Sequence, residues 1–115
     1  MKHNESKLQQ ACVRWFRMQY PDKIIFAIPN GGKRDIREAS RLKAEGVLAG
    51  VPDLFVPEAR YGFHGLFIEM KFGDGKMTEA QEKICEDLKN LGYGGTTIST
   101  FEAFEKLMKS YLKEN

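Results

Sequence analysis

Apolar residues recur at helical spacing in four segments of the chain. In the first segment Leu8, Cys12 and Phe16 are four residues apart, so they fall on one face of a helix. Gly46 and Gly92 follow the second and third segments as helix stop signals. The predicted helices are residues 4–19, 35–45, 79–91 and a last helix that buries Phe104, Leu107, Met108, Tyr111 and Leu112.

Polar side chains stand at the expected starts of three of these helices. Asn4 is suited to cap the first helix. Ser99 and Glu102 have the spacing of a capping box for the last helix, and Thr78 and Gln81 have it for the third. Gln81 therefore has two interpretations: it closes a capping box, or it also contributes to chemistry nearby.

Four short apolar runs between the helices are typical of strands. The predicted strands are residues 24–28, 53–57, 66–71 and 95–98, and a hairpin at residues 60–65 joins the second to the third. The element order is then α-β-α-β-β-α-β-α. It predicts an α/β fold in which helices flank a small mixed sheet.

The composition is that of a single globular domain, which we expect to span residues 1–115. Neither a secretory signal nor an apolar stretch long enough for a membrane span is present, and the two cysteines have no metal-binding spacing. We therefore expect a cytoplasmic protein with reduced thiols. The net charge is +5 over residues 1–50 and −3 over residues 51–115, which favours an anionic partner for the first half.

Three charged residues stand where two neighbouring strands meet. Glu69 and Lys71 end the third strand and point to the same face, and the hairpin brings Asp53 across from them. Charges at the end of a buried strand are costly unless they face a cleft, a metal or each other. Asp53, Glu69 and the backbone carbonyl of Met70 offer three oxygens to a hard cation such as Mg²⁺. Lys71 beside them is suited to orient or deprotonate a water, and this combination favours hydrolysis of a phosphodiester.

Each of these residues also has a purely structural interpretation. Asp53 is placed to be a loop acid after the turn-forming Pro52, and Glu69 and Lys71 to be an exposed edge pair. Glu5 is suited to the first turn of a helix, where an acid stabilises the helix dipole.

The ordered set of motifs resembles the VRR-NUC branch of the PD-(D/E)xK nuclease superfamily. Pro52-Asp53 and Glu69-Met70-Lys71 resemble the superfamily motif. The other matching pieces are Glu5 with Leu8-Gln9, residues 28–32, residues 46–54, residues 66–71 and Gln81.

The resemblance implies an α-β-β-β-α-β core, to which this chain adds one helix between its first two strands. It implies Mg²⁺ or Mn²⁺ held by Asp53, Glu69 and the Met70 carbonyl, with Lys71 as the catalytic lysine. It also implies that Glu5 lies at the metal and that Gln81 lies at the site.

A basic stretch follows the glycine loop of residues 31–32. The members of this stretch are Lys33, Arg34, Arg37, Arg41 and Lys43. They form either a solvated helix face or, beside a nuclease site, a set of contacts with DNA phosphates.

Stand-alone members of the family are associated with homodimers that resolve four-way DNA junctions, in bacteria or in phage-infected bacterial cytoplasm. The resemblance thus implies a metal-dependent endonuclease that acts on branched DNA as a homodimer. The alternatives are a nuclease that cuts flaps, nicks or duplex DNA, and a DNA-binding module without activity.

Overall fold

The computed structural model describes residues 2–29 and 35–114, and within them the expected element order is confirmed. Residues 30–32 of the glycine loop lie outside the described residues. The elements are α1 (Lys2–Gln19), β1 (Phe26–Ala27), α2 (Ile36–Ala44), β2 (Leu54–Val56), β3 (Leu66–Met70), α3 (Glu79–Asn90), β4 (Gly94–Ile98) and α4 (Phe101–Tyr111).

The four strands form one mixed sheet in the order β1-β2-β3-β4. The strands β1 and β2 are antiparallel, as are β2 and β3, whereas β3 and β4 are parallel. A short hairpin suffices for the antiparallel pair β2–β3, but the parallel pair needs a crossover, which α3 supplies. The mixed sheet flanked by helices is the fold class that the element order predicts.

One face of the sheet carries the hydrophobic core. Alternation along β2 and β3 turns Leu54, Val56, Leu66, Ile68 and Met70 to this face, where they are buried. The helices α1 and α4 cover it with the buried side chains of Cys12, Phe16, Phe104, Met108, Tyr111 and Leu112. The intervening residues of both strands, Glu69 among them, therefore point to the opposite face.

The first strand and two helix starts differ from the prediction. The strand β1 has only two residues, and both are exposed because it is an edge strand. Helix α1 begins at Lys2, since no Gly or Pro precedes Asn4 to stop it, so Asn4 is not the cap. Thr100, not Ser99, caps α4, and its hydroxyl accepts a 3.1 Å hydrogen bond from the backbone N–H of Ala103.

Helix α2 stands on the surface, and none of its residues is buried. Ile36, for example, is 85% exposed. Local capping supports the helix, because the Asp35 carboxylate accepts a 2.8 Å hydrogen bond from the backbone N–H of Glu38. Among the described helices, α2 included, none is long and apolar enough to cross a membrane.

Gly50 lets the segment before β2 pack closely against the start of α3. It has a φ of +95°, and a Cβ at this position would lie 2.8 Å from the carbonyl oxygen of Ala80. Only glycine permits both this conformation and this approach. The contact sets the first turn of α3 beside Asp53, which lies three residues after Gly50.

We expect Gly50→Ala to destabilise the fold more than Gly46→Ala. Both glycines have a positive φ, which costs another residue about 1–2 kcal/mol. Gly46 has open space around it, whereas Gly50 abuts backbone atoms that cannot move aside cheaply. Urea denaturation of the two variants measures the difference, and equal losses would contradict a close contact at Gly50.

Candidate functional site

Asp53 and Glu69 face each other across the antiparallel pair β2–β3. Leu54 is paired with Ile68, so Asp53, one residue before, lies opposite Glu69, one residue after. The Asp53 carboxylate accepts a 2.7 Å hydrogen bond from the backbone N–H of Met70. This bond fixes one acid of the pair to the strand that carries the other.

Glu69 is the one buried charged side chain in the described part of the chain, at 2% exposed. Its Oε2 accepts a 2.5 Å hydrogen bond from Nε2 of Gln81, and Nζ of Lys71 lies 3.8 Å from the same oxygen. Its Oε1 is buried and has no hydrogen-bond partner. A buried carboxylate oxygen without a donor is costly, and a proton or a bound cation would offset that cost.

The surroundings of Glu69 favour its neutral form. Its pKa is raised from 4.5 to about 7, above all by burial and next by the negative charge of Asp53. The ammonium of Lys71 acts in the opposite direction, while the charge of Glu5 and a hydrogen bond with the Asp53 side chain add to the increase. Three carboxylates and one ammonium therefore share one electrostatic environment.

Gln81 closes a capping box and also contacts Glu69, while its contribution to chemistry stays a prediction. Its Oε1 accepts a 2.8 Å hydrogen bond from the backbone N–H of Thr78, and the Thr78 hydroxyl accepts a 3.2 Å bond from the backbone N–H of Gln81. This is a complete capping box at the start of α3. The same amide holds Glu69 through its Nε2, so the cap orients the acid.

The site lies in a cleft of about 1160 Å³ between α1, the sheet and the start of α3. Glu5 lines the cleft from the first turns of α1, and Lys71 lines it with a side chain that is 13% exposed. The structure thus brings together the five side chains that the sequence proposes for the site, which are Glu5, Asp53, Glu69, Lys71 and Gln81.

These groups suit a magnesium or manganese ion that keeps part of its water. Within residues 2–29 and 35–114, no group of three or more His, Cys, Asp and Glu side chains is arranged to hold a metal by itself. Mg²⁺ is commonly bound by one or two carboxylates together with water and substrate phosphate. Asp53, Glu69 with its unpartnered Oε1, and a backbone carbonyl match that donor set, whereas Glu5 shares the cleft without completing a closed ligand set.

The described cations of the basic stretch, Arg37, Arg41 and Lys43, do not line the cleft. Lys33 and Arg34 lie outside the described residues. Arg37, Arg41 and Lys43 are exposed on α2, and the Arg41 guanidinium donates to the Glu45 carboxylate at 3.1 Å. Their contact with DNA stays a prediction.

Sequence reasoning missed the long wall that α1 contributes to the cleft. Besides Glu5, this wall consists of Ser6, Gln9, Gln10, Val13, Arg14, Arg17 and Met18. The signal was present, because these residues form a largely polar stripe beside the buried stripe of Cys12 and Phe16.

Comparison with known proteins matches a family model and solved structures. Residues 2–97 match the family model of the VRR-NUC domain. A solved structure described as a VRR_NUC domain protein has a TM-score of 0.77 and 29% sequence identity, and the match covers 95% of this chain and 88% of that one. The comparison with curated protein sequences found no match.

The raised pKa of Glu69 predicts a pH-dependent stability in the absence of divalent cations. Folding favours the protonated acid, so this contribution weakens the fold as the pH rises from about 4.5 to about 7 and then levels off. Glu69→Gln resembles the neutral form and keeps an acceptor for Gln81. We expect the variant to match the wild type at pH 4 and to be about 3 kcal/mol more stable at pH 8, at about 1.4 kcal/mol per pKa unit.

Urea denaturation in EDTA across this pH range measures the effect. The informative quantity is the difference between the two proteins, because other groups titrate in both. A difference that does not change with pH would contradict a raised pKa at Glu69.

Proposed function

The chain belongs to the VRR-NUC family of nuclease domains, and we propose that it is a metal-dependent endonuclease that hydrolyses phosphodiesters of branched DNA. The observation that carries the proposal is the buried Glu69. Its Oε2 is held by Gln81 and approached by Lys71, while its Oε1 has no partner. A purely structural acid has no need of this arrangement, which leaves a buried oxygen unsatisfied.

Asp53, Glu69 and the backbone carbonyl of Met70 would hold Mg²⁺ or Mn²⁺, with Glu5 on the facing wall of the cleft. When bound, the cation supplies an activated water and neutralises charge on the phosphate that is attacked. The hydrogen bond from the Met70 N–H keeps Asp53 beside the strand that carries both Glu69 and the Met70 carbonyl.

Lys71 supplies the positive charge of the site. Its side chain is only 13% exposed, so its charge acts through less water than a surface lysine's does. Beside the scissile phosphate it would stabilise the charge that builds on the phosphate oxygens and hold the attacking water. Gln81 is a positioning residue, because it fixes the orientation of the Glu69 carboxylate through Oε2.

The proposed substrate is a four-way junction cut by a homodimer. Resolution of a junction needs two symmetric cuts, whereas one chain offers a single acid pair in this cleft. A two-fold dimer supplies two sites with the required symmetry. The exposed cations of α2 are available for phosphates of the arms, and Arg37 and Lys43 are the examples.

Cleavage should depend on the bound metal and on Lys71. We expect cleavage to require Mg²⁺ or Mn²⁺, and Ca²⁺ to permit binding without efficient cutting. Asp53→Ala, Glu69→Ala and Lys71→Ala should each abolish cleavage of labelled junction DNA while binding in Ca²⁺ persists. Lys106→Ala, which removes an exposed lysine of α4, is the matched control and should cut normally. Robust cutting in EDTA or by Lys71→Ala would contradict the mechanism.

Two variants separate the capping role of Gln81 from its role in orienting Glu69. Thr78→Ala removes the capping hydroxyl but leaves the bond from Gln81 to Glu69, so it should cost about 1 kcal/mol of stability with little loss of turnover. Gln81→Ala removes both bonds of the side chain, and we expect turnover to fall at least ~10-fold, or about 1.4 kcal/mol of barrier. Both are measured below the melting temperature of the variants. Equal turnover in the two variants would reduce Gln81 to a cap.

A further prediction concerns assembly and substrate choice. We expect light scattering at micromolar concentration to show a homodimer, and competition assays to show preferential cutting of four-way junctions over flaps, nicks and linear duplex. A monomer that cuts all of these equally would support the broader nuclease. Tight binding without cleavage in Mg²⁺ or Mn²⁺ would identify a DNA-binding module.

A further inference from the structure

The cleft has a basic part as well as an acidic one. Glu5, Asp53 and Glu69 line it near the start of α1, whereas Arg14 and Arg17 line it from the last turns of the same helix. Nine residues separate Glu5 from Arg14, which is about 14 Å along a helix. A strand that reaches the acids along this wall therefore passes the two guanidinium groups.

Arg17 is held in place by a backbone group and not by an acid. Its Nη2 donates a 3.1 Å hydrogen bond to the carbonyl oxygen of Ile25, just before β1. A guanidinium has five N–H donors, so this single bond orients the group and leaves others directed elsewhere. Across residues 2–29 and 35–114, Arg14 has no hydrogen bond and no ion pair.

Several cations elsewhere on the surface have a carboxylate partner. The pairs are Lys83 with Asp87, Lys109 with Glu105 and Arg41 with Glu45. Arg14 and Arg17 differ from them, because within the described residues neither contacts an acid. Their charges are therefore available to an anion that enters the cleft.

The backbone group that holds Arg17 lies close in sequence to the contact between the β1 segment and Asp53. The backbone N–H of Ile28 donates a 2.8 Å hydrogen bond to the carbonyl oxygen of Asp53. Ile25, which holds Arg17, lies three residues before Ile28, a separation of at most about 10 Å along the chain. One strand of duplex DNA presents a phosphate per 3.4 Å of helix axis, but consecutive phosphates are farther apart than this along the backbone itself, so a group at this separation reaches a phosphate that flanks the scissile one.

We propose that Arg14 and Arg17 bind the backbone of the strand being cut, at phosphates that flank the scissile bond. The inference rests on the proposed nuclease function and adds a second phosphate contact inside the cleft itself. Such contacts carry no sequence information, but they set the register of the strand on the protein. The strand then lies along α1, with its scissile phosphate at Glu69 and a flanking phosphate at the two arginines.

The first test measures how binding depends on salt. Arg14→Gln, Arg17→Gln and the control Lys106→Gln each remove one positive charge, and binding of junction DNA is measured in Ca²⁺ between 50 and about 200 mM salt. We expect each arginine variant to reduce the slope of log K against log salt by about 0.9, and the control to leave it unchanged. Equal slopes in all four proteins, or an equal reduction in the control, would overturn the inference.

The second test locates the contact. A neutral methylphosphonate replaces single phosphates at successive positions on either side of the cut. We expect the wild type to lose affinity at one or two positions on one side of the cut, and Arg14→Gln to be insensitive there. Arg14 has no hydrogen bond and no ion pair within the described residues, so this variant decides the question even if Arg17→Gln fails to fold.

The outcomes separate the inference from the function on which it rests. A wild type that cuts DNA but shows the same methylphosphonate profile as Arg14→Gln overturns the arginine contact and leaves the nuclease in place. A wild type that neither binds nor cuts DNA overturns both. Loss of sensitivity confined to the arginine variants supports the contact.

Discussion

The burial of Glu69 is the constraint on which the rest of the site depends. A carboxylate that is 2% exposed needs partners, and each partner comes from a different part of the chain. Gln81 reaches it from α3, Lys71 from the end of its own strand, and Asp53 from the neighbouring strand. These elements must all meet at one point. The surroundings of Glu69 therefore form only when the sheet and its crossover helix have packed together.

The two faces of the sheet divide stability from chemistry. One face carries the alternate residues Leu54, Ile68 and Met70 into the core, and the other carries Asp53 and Glu69 to the cleft. This division lets a five-residue strand serve both purposes, since successive side chains point to opposite faces. It also explains why Met70 is useful at the site, because its side chain is in the core while its backbone N–H fixes Asp53.

The sequence predicts a feature well where the alternation of side chains along a strand decides it. It predicts less well where packing, or two equivalent capping residues, decide the outcome. Alternation on the third strand was enough to place Glu69 and Lys71 on one face, and the hairpin was enough to bring Asp53 across. The cap of α4 was predicted one residue early, because Ser99 and Thr100 offer the same hydroxyl and only the backbone geometry decides between them. The apolar run of β1 predicts a buried strand, whereas both of its residues are exposed. An apolar run does not reveal that its strand lies at the edge of the sheet.

The unfavourable environment of Glu69 also suits the cation that we propose for the site. Above pH 7 the ionised carboxylate destabilises the fold, because burial and the charge of Asp53 oppose its ionisation and its Oε1 has no hydrogen-bond donor. A ligand that binds only the folded, ionised site recovers this free energy, so binding is coupled to the loss of a proton and to stability. Replacing Glu69 by a neutral residue that tolerates burial would stabilise the metal-free protein. It would also remove the carboxylate that the proposed cation needs. Gln81 contributes to the same balance, because it donates to Oε2 and leaves Oε1 without a donor, where the proposed cation would bind.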